Sequence, residues 1–142
     1  MEVSNQSGTS LPELVNEIKE ILSQMPSEDV FFKLSEFFKA FSDPSRLKIL
    51  QALSKSELCV CEISDIVNMT QSAVSHQLRF LKNIDILACR REGKSVIYSL
   101  KDSHIFHIYA EGFIHINEER SNNNDQSSRS LGLLFLLGHR LT

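Results

Sequence analysis

Two short helices joined by a tight turn are the feature of this sequence that most constrains its fold. The first runs from Cys59 to Val67, and Thr70 caps a second helix that extends from Gln71 to Ile84. The apolar residues of both helices recur at helical spacing, so we expect them to face a common core: Ile63, Ile66, Val67, Val74, Leu78 and Leu81. Two helices in this arrangement form the helix-turn-helix pattern.

The outward face of the second helix carries small polar and basic side chains and no acid. Its residues are Ser72, Ser75, His76, Arg79 and Asn83, and Gln71 at the start of the helix is a further candidate for contact with DNA. Short hydroxyls reach phosphates or base edges without obstructing close approach, and an arginine can bind guanine through two hydrogen bonds. The pattern predicts a DNA-recognition helix; the open alternative is an ordinary solvent-facing helix.

A basic hairpin follows the second helix directly. Ile86 to Arg91 has the composition of a strand, Glu92-Gly93 makes a turn, and Lys94 to Leu100 alternates as a returning strand. Arg90, Arg91 and Lys94 cluster at the tip, where a hairpin of this kind would contact phosphates beside the recognition helix. We interpret the hairpin as a wing, the alternative being a solvated tip.

The distribution of charge favours a nucleic-acid partner more than the net charge of −3 does. Residues 70–101 hold six basic residues against two acidic ones, a local charge of +4. Residues 1–37 hold two basic residues against seven acidic ones, a local charge of −5. A basic central segment within an acidic chain is typical of an electrostatic surface for DNA.

A third feature is a helix over residues 102–118 that places metal-binding groups on one face: His104, His107, Glu111, His115 and Glu118. His115 and Glu118 are three residues apart and could share a metal ion. His104 and His115 are eleven residues apart, which separates them by about 16 Å along a helix. Metal–ligand bonds are only about 2 Å long, so one ion cannot join both ends of this helix.

The helix therefore carries two half-sites. Asp102 and His104 can converge at the first end if Asp102 caps the helix, where the backbone is not yet helical. Two antiparallel copies related by a two-fold axis would bring Asp102 and His104 of one chain against His115 and Glu118 of the other. The alternative is a solvated face that happens to hold histidines.

The remaining sequence predicts three segments: an N-terminal arm with a helix over residues 1–27, a DNA-binding and dimerisation domain over residues 28–120, and a polar linker with a short apolar tail over residues 121–142. A helix over Leu11 to Met25 occupies the arm, and Asp43-Pro44 begins a helix ahead of the helix-turn-helix. The apolar run from Leu131 to Leu137 is far shorter than the roughly 20 residues that span a bilayer. Three cysteines without a visible secretory signal predict a cytoplasmic protein.

Three motifs resemble the ArsR/SmtB family of metal-sensing repressors. They are Phe41-Ser-Asp-Pro-Ser-Arg-Leu-Lys-Ile-Leu, Glu57-Leu-Cys-Val-Cys-Glu-Ile and Gln71-Ser-Ala-Val-Ser-His-Gln-Leu. The resemblance implies a mainly helical fold with a small β-hairpin, that is, a dimeric winged helix-turn-helix. It also implies a repressor that binds operator DNA when metal-free and releases it on binding metal, with Ser72, Ser75, His76 and Arg79 as recognition contacts.

The family's C-terminal-helix metal site has the pattern D-x-H, ten residues, H-x-x-E/H, and this sequence resembles its zinc-sensing branch. Asp102, His104, His115 and Glu118 fit the pattern completely, whereas His107 and Glu111 lie outside it. Two histidines and two carboxylates favour Zn(II), with Co(II) as a spectroscopic substitute.

Alternatives remain open. Cys59 and Cys61 match part of the thiolate site of the cadmium, lead and arsenic sensors, which implies a soft-metal or redox sensor instead. A metalloenzyme is not expected, because four protein ligands leave no open position for water and no HExxH pattern is present. The remaining hypothesis is a constitutive DNA-binding protein whose metal site only stabilises the dimer.

Overall fold

A computed structural model describes Gly8 and residues 10–121 of the chain, with side chains through Glu118. The described residues divide between two compact units, one ending at Ser35 and the other beginning at Glu36. The predicted polar linker and the apolar run at 131–137 lie outside the described residues. None of the helices in the described part is long and apolar enough to cross a membrane.

Helices dominate the described chain. The α-helices are α1 (Leu11–Gln24), α2 (Glu28–Phe38), α3 (Pro44–Lys55), α4 (Val60–Val67), α5 (Gln71–Asn83) and α6 (Ser103–Ser121). A short 3₁₀ turn, Lys39–Phe41, joins α2 to α3, and the strands are β1 (Leu58–Cys59), β2 (Leu87–Glu92) and β3 (Ser95–Leu100). The mainly helical fold with a small sheet confirms the predicted class.

Helix α1, in the first unit, is amphipathic and begins at a capping box. The Ser10 backbone N–H donates to Glu13 Oε2 at 2.9 Å, and this hydrogen bond lowers the pKa of the Glu13 carboxyl. The apolar side chains of α1 are all at least 44% exposed in the single chain: Leu11, Leu14, Val15, Ile18, Ile21 and Leu22. An apolar face of this size is typical of a surface that a partner covers.

The core of the second unit is built from the helix-turn-helix. Val74, Leu78 and Leu81 of α5 are fully buried, as their spacing predicts. Ile63 and Val67 of α4 join them, together with residues of α3, β2 and α6: Ile49, Leu50, Leu53, Leu87 and Ile105. Burying this set stabilises the packing of α5 against the rest of the unit.

The prediction that Ile66 faces inward is wrong, since its side chain is 59% exposed. Helix α4 buries Ile63, Ser64 and Val67, which are spaced i, i+1 and i+4 and share one helix face. The i, i+3, i+4 spacing of Ile63, Ile66 and Val67 predicted a face that includes Ile66, and the helix is turned so that Ser64 is buried instead. The Ser64 hydroxyl is satisfied because it donates to the Met69 carbonyl at 2.5 Å.

Caps fix the ends of the helices that carry the site. The Asp43 carboxylate accepts from the Arg46 backbone N–H at 3.0 Å, and the Thr70 hydroxyl accepts from the Ala73 backbone N–H at 3.1 Å. Asn68 ends α4 in the left-handed conformation, with φ of 54°. The turn between α4 and α5 therefore has a defined geometry.

The predicted hairpin is part of a three-stranded antiparallel sheet of order β1-β3-β2. Leu58 and Cys59 pair with Tyr98 and Ile97, an addition that the sequence did not predict because two residues carry no periodic signal. Cys59 is accordingly the residue before α4 rather than its first helical residue. Gly93, at φ of 61°, turns β2 into β3.

The buried stripe of α5 supplies a direct test of this packing. We expect Leu78→Ala to lower the free energy of unfolding by about 3 kcal/mol, because it leaves a cavity in a fully buried site. Ile66→Ala is the control and should change it by less than about 0.5 kcal/mol. Urea unfolding followed by circular dichroism measures both; equal effects would contradict the packing described.

Candidate nucleic-acid interface and metal half-sites

Helix α5 presents the predicted recognition residues on its outer face. Gln71, Ser72, His76 and Arg79 are exposed, and Ser75 is half-buried. No acidic residue occurs between Gln71 and Asn83, so the face has no negative charge of its own. The arrangement can meet phosphates and base edges in a major groove.

Gln71 also has a contact within the chain. Its Nε2 lies 3.7 Å from the Cys61 Sγ of α4. The exposed Cys61 thiol therefore lies directly beside the first residue of α5.

The three basic residues of the predicted wing differ in the ion pairs that they form. Arg90 Nη1 lies 2.6 Å from Glu57 Oε2, and Arg90 Nη2 lies 3.2 Å from Glu92 Oε2. The hydrogen bond to Glu57 is the largest of the effects that raise the pKa of the Arg90 guanidinium. A phosphate must compete with two carboxylates for this side chain.

Arg91 and Lys94 form no salt bridge within the part of the chain that the structure describes. Arg90 and Arg91 are consecutive residues of β2, so their side chains leave opposite faces of the sheet. The basic tip thus holds three exposed cations, of which, among the described residues, Arg90 is paired with carboxylates and Arg91 and Lys94 are not. Glu57 is a functional candidate that the sequence did not reveal, because it meets Arg90 from 33 residues away.

The start of α6 holds the first predicted metal half-site, Asp102 and His104. Asp102 Oδ1 accepts from the His104 backbone N–H at 2.8 Å and lies 3.1 Å from the His104 Nδ1. Asp102 therefore caps the helix, which is the condition for the convergence of these two side chains. Both are accessible, with 51% of the Asp102 side chain and 83% of the His104 side chain exposed.

The distance between these two atoms suits one metal ion. Two ligand atoms at about 2.0–2.1 Å from a tetrahedral zinc ion are about 3.3 Å apart. The observed 3.1 Å between Asp102 Oδ1 and His104 Nδ1 requires only a small adjustment. A carboxylate and an imidazole are also a donor pair that Zn(II) accepts.

The second half-site, His115 and Glu118, is an exposed pair further along the same helix. Among the described residues, no group of three or more His, Cys, Asp and Glu side chains is placed to hold a metal ion. The structure therefore brings Asp102 together with His104 but does not join them to His115 or Glu118 within one chain. His107 and Glu111 are exposed on the same helix.

The thiols of Cys59 and Cys61 flank the start of α4. Cys59 is half-buried, and its backbone N–H donates to Glu62 Oε2 at 2.8 Å. This hydrogen bond lowers the pKa of the Glu62 carboxyl and engages the carboxylate as a cap. Glu62 would have to leave the backbone N–H to act as a third ligand to a soft metal.

A recognition helix packed on a helix-turn-helix core, followed by a basic β-hairpin, defines a winged helix-turn-helix DNA-binding protein. Residues 43–88 match the family described as "Bacterial regulatory protein, arsR family". The chain belongs to the ArsR family of transcriptional regulators.

Known relatives span most of the chain. It is 38% identical over 104 residues to the "Transcriptional repressor SmtB homolog" of Synechocystis sp., covering 73% of this chain and 79% of the relative. It is 41% identical over 108 residues to the "Cadmium resistance transcriptional regulatory protein CadC homolog" of Staphylococcus aureus, covering 75% and 86%. Its fold is similar to that of the homodimeric winged helix-turn-helix domain of Mb0332 from Mycobacterium bovis, with a TM-score of 0.65 and 22% sequence identity. The match covers 72% of this chain and 98% of that domain.

The ion pairs of Arg90 generate a prediction about the wing. We expect Arg91→Gln to weaken operator binding and to reduce the salt slope of log K by about 0.9, the value for one phosphate contact. Arg90→Gln should have less than half that effect, because Glu57 and Glu92 already neutralise Arg90. Fluorescence anisotropy at several salt concentrations, on an operator selected from random DNA by the metal-free protein, measures both; a larger effect for Arg90→Gln would contradict the prediction.

Proposed function

We propose that this protein is a zinc-responsive, homodimeric transcriptional repressor of the cytoplasm, which binds operator DNA when metal-free and releases it on binding Zn(II). The observation that carries the proposal is the half-site at the start of α6. The Asp102 carboxylate and the His104 imidazole lie at a separation that suits adjacent zinc ligands, yet the described residues provide no third ligand beside them.

A dimer would complete the site. His115 and Glu118 of a second copy would provide the missing ligands, and two-fold symmetry would create two equivalent sites. The exposed apolar residues of α6, among them Phe113 and Ile116, support an interface along this helix. The Mb0332 domain from Mycobacterium bovis is itself described as homodimeric.

The ligand residues would act by favouring one shape of the dimer. Asp102, His104, His115 and Glu118 would hold the zinc ion, which when bound would supply a redox-inactive link between the two chains. Asp102 and His104 sit immediately after β3, the returning strand of the wing, so a constraint on the start of α6 acts close to the wing. The protein would release operator DNA if the dimer shape in which the metal ligands are joined fits the DNA less well.

Cys59 and Cys61 support a second candidate function, a soft-metal or redox sensor. The observation that favours it is the contact between the Cys61 Sγ and Gln71 Nε2, which places the thiol at the recognition helix. The similarity to a cadmium resistance regulator is compatible with it. The engagement of Glu62 as a helix cap favours the α6 site over a complete ligand set at these cysteines.

Operator release by zinc tests the proposal. We expect saturating Zn(II) to weaken operator binding by the wild-type protein about 5- to 150-fold, the usual range of allosteric coupling. His104→Ala should reduce this effect to less than about twofold. Anisotropy titrations with zinc and with a chelator measure the ratio.

Two control variants separate the candidates. His107→Ala removes an exposed histidine from the same helix and should leave the response intact. Cys59→Ser should also leave it intact, and Co(II) should give weak visible bands without the intense thiolate charge-transfer bands of a cysteine site. The proposal would be overturned if Zn(II) still released His104→Ala from the operator as fully as the wild type. It would also be overturned if only Cys59→Ser lost the release by Zn(II).

A further inference from the structure

Arg46, in the first turn of α3, contacts both the segment before α3 and the helix α5. Its guanidinium donates through Nη2 to the Lys39 carbonyl at 2.7 Å and through Nε to the Ala40 carbonyl at 3.4 Å. These carbonyls belong to the 3₁₀ turn that follows α2. Arg46 therefore holds the start of α3 to the end of the preceding helical segment.

The other edge of the same guanidinium reaches the recognition helix. Arg46 Nη1 donates to Gln77 Oε1 at 3.4 Å, and its Cζ lies 4.6 Å from the centre of the Phe80 ring. The ring contact has the distance of a cation–π interaction. Gln77 and Phe80 are half-buried on α5, each adjacent in sequence to an outward residue, His76 or Arg79.

We propose that Arg46 is a positioning residue for DNA binding, which fixes the orientation of α5 against the segment between α2 and α3. The planar fork of the guanidinium meets two carbonyls, one amide oxygen and one ring at once. A lysine ammonium has no such fork, so it can replace the charge but not this combination of contacts.

The role is distinct from that of a phosphate contact. Arg46 is half-buried, and its donors are directed at groups of the protein itself. Its removal should therefore change how well the exposed residues of α5 fit the groove without removing a charge from the DNA surface. The salt dependence of binding separates the two roles, since each phosphate contact contributes about 0.9 to the slope.

The test uses the full chain in its metal-free form, so it does not depend on which metal the protein senses. We expect Arg46→Met to weaken operator binding about tenfold, with an unchanged salt slope. Arg46→Lys should fall between Arg46→Met and the wild type. Lys48→Met is the matched control: it removes the same charge from an exposed position of α3 and should alter the affinity by less than about twofold.

A variant on the α5 side keeps the test valid if Arg46→Met does not fold. Gln77→Leu removes the amide oxygen that accepts from Arg46, and we expect it to weaken operator binding about threefold. In the double variant with Arg46→Lys, the two losses of affinity should not add, because both changes remove the same contact. Circular dichroism confirms that each variant is folded at the temperature of the titration. Unchanged affinity in folded Arg46→Met and Gln77→Leu, or a salt slope reduced by about 0.9 in Arg46→Met, would overturn the proposal.

Discussion

The rigidity of α6 is the constraint on which the proposed switch depends. Asp102 and His104 are held together at its start by the cap, and His115 and Glu118 lie eleven or more residues further along. A helix cannot fold back to join its two ends, and the described chain offers no other third ligand beside either pair. In the proposed switch a second copy completes the site, so that dimer shape and metal binding become parts of one equilibrium.

DNA recognition depends on a different kind of constraint. The outer residues of α5 can fit a DNA groove only if the helix has a fixed position. The fully buried Val74, Leu78 and Leu81 pack the opposite face of α5 against the core. Arg46 adds directional contacts at the side of the same helix, to Gln77 and to the Phe80 ring. At the wing, Arg90 forms an ion pair with Glu57, and Arg91 and Lys94 remain predicted phosphate contacts.

The elements that repeat a local pattern could be predicted from the sequence. The helices of the helix-turn-helix, the basic hairpin and the cap at Asp102 all arise from residues within a few positions of one another. The strand β1 could not be predicted, because two residues have no periodicity, and Ile66 was misplaced because a short helix leaves its inward stripe ambiguous. The contacts of Arg90 with Glu57 and of Arg46 with Gln77 join residues 33 and 31 positions apart, and no local pattern signals such pairs.

If zinc and operator DNA bind to opposing states of one dimer, each must weaken the binding of the other. Zinc affinity is measured by competition with a chelating dye, on the free protein and on the protein saturated with operator. We predict that DNA weakens zinc binding by the same factor by which zinc weakens DNA binding, because the two effects share one coupling free energy. A zinc affinity that operator DNA leaves unchanged would contradict the account.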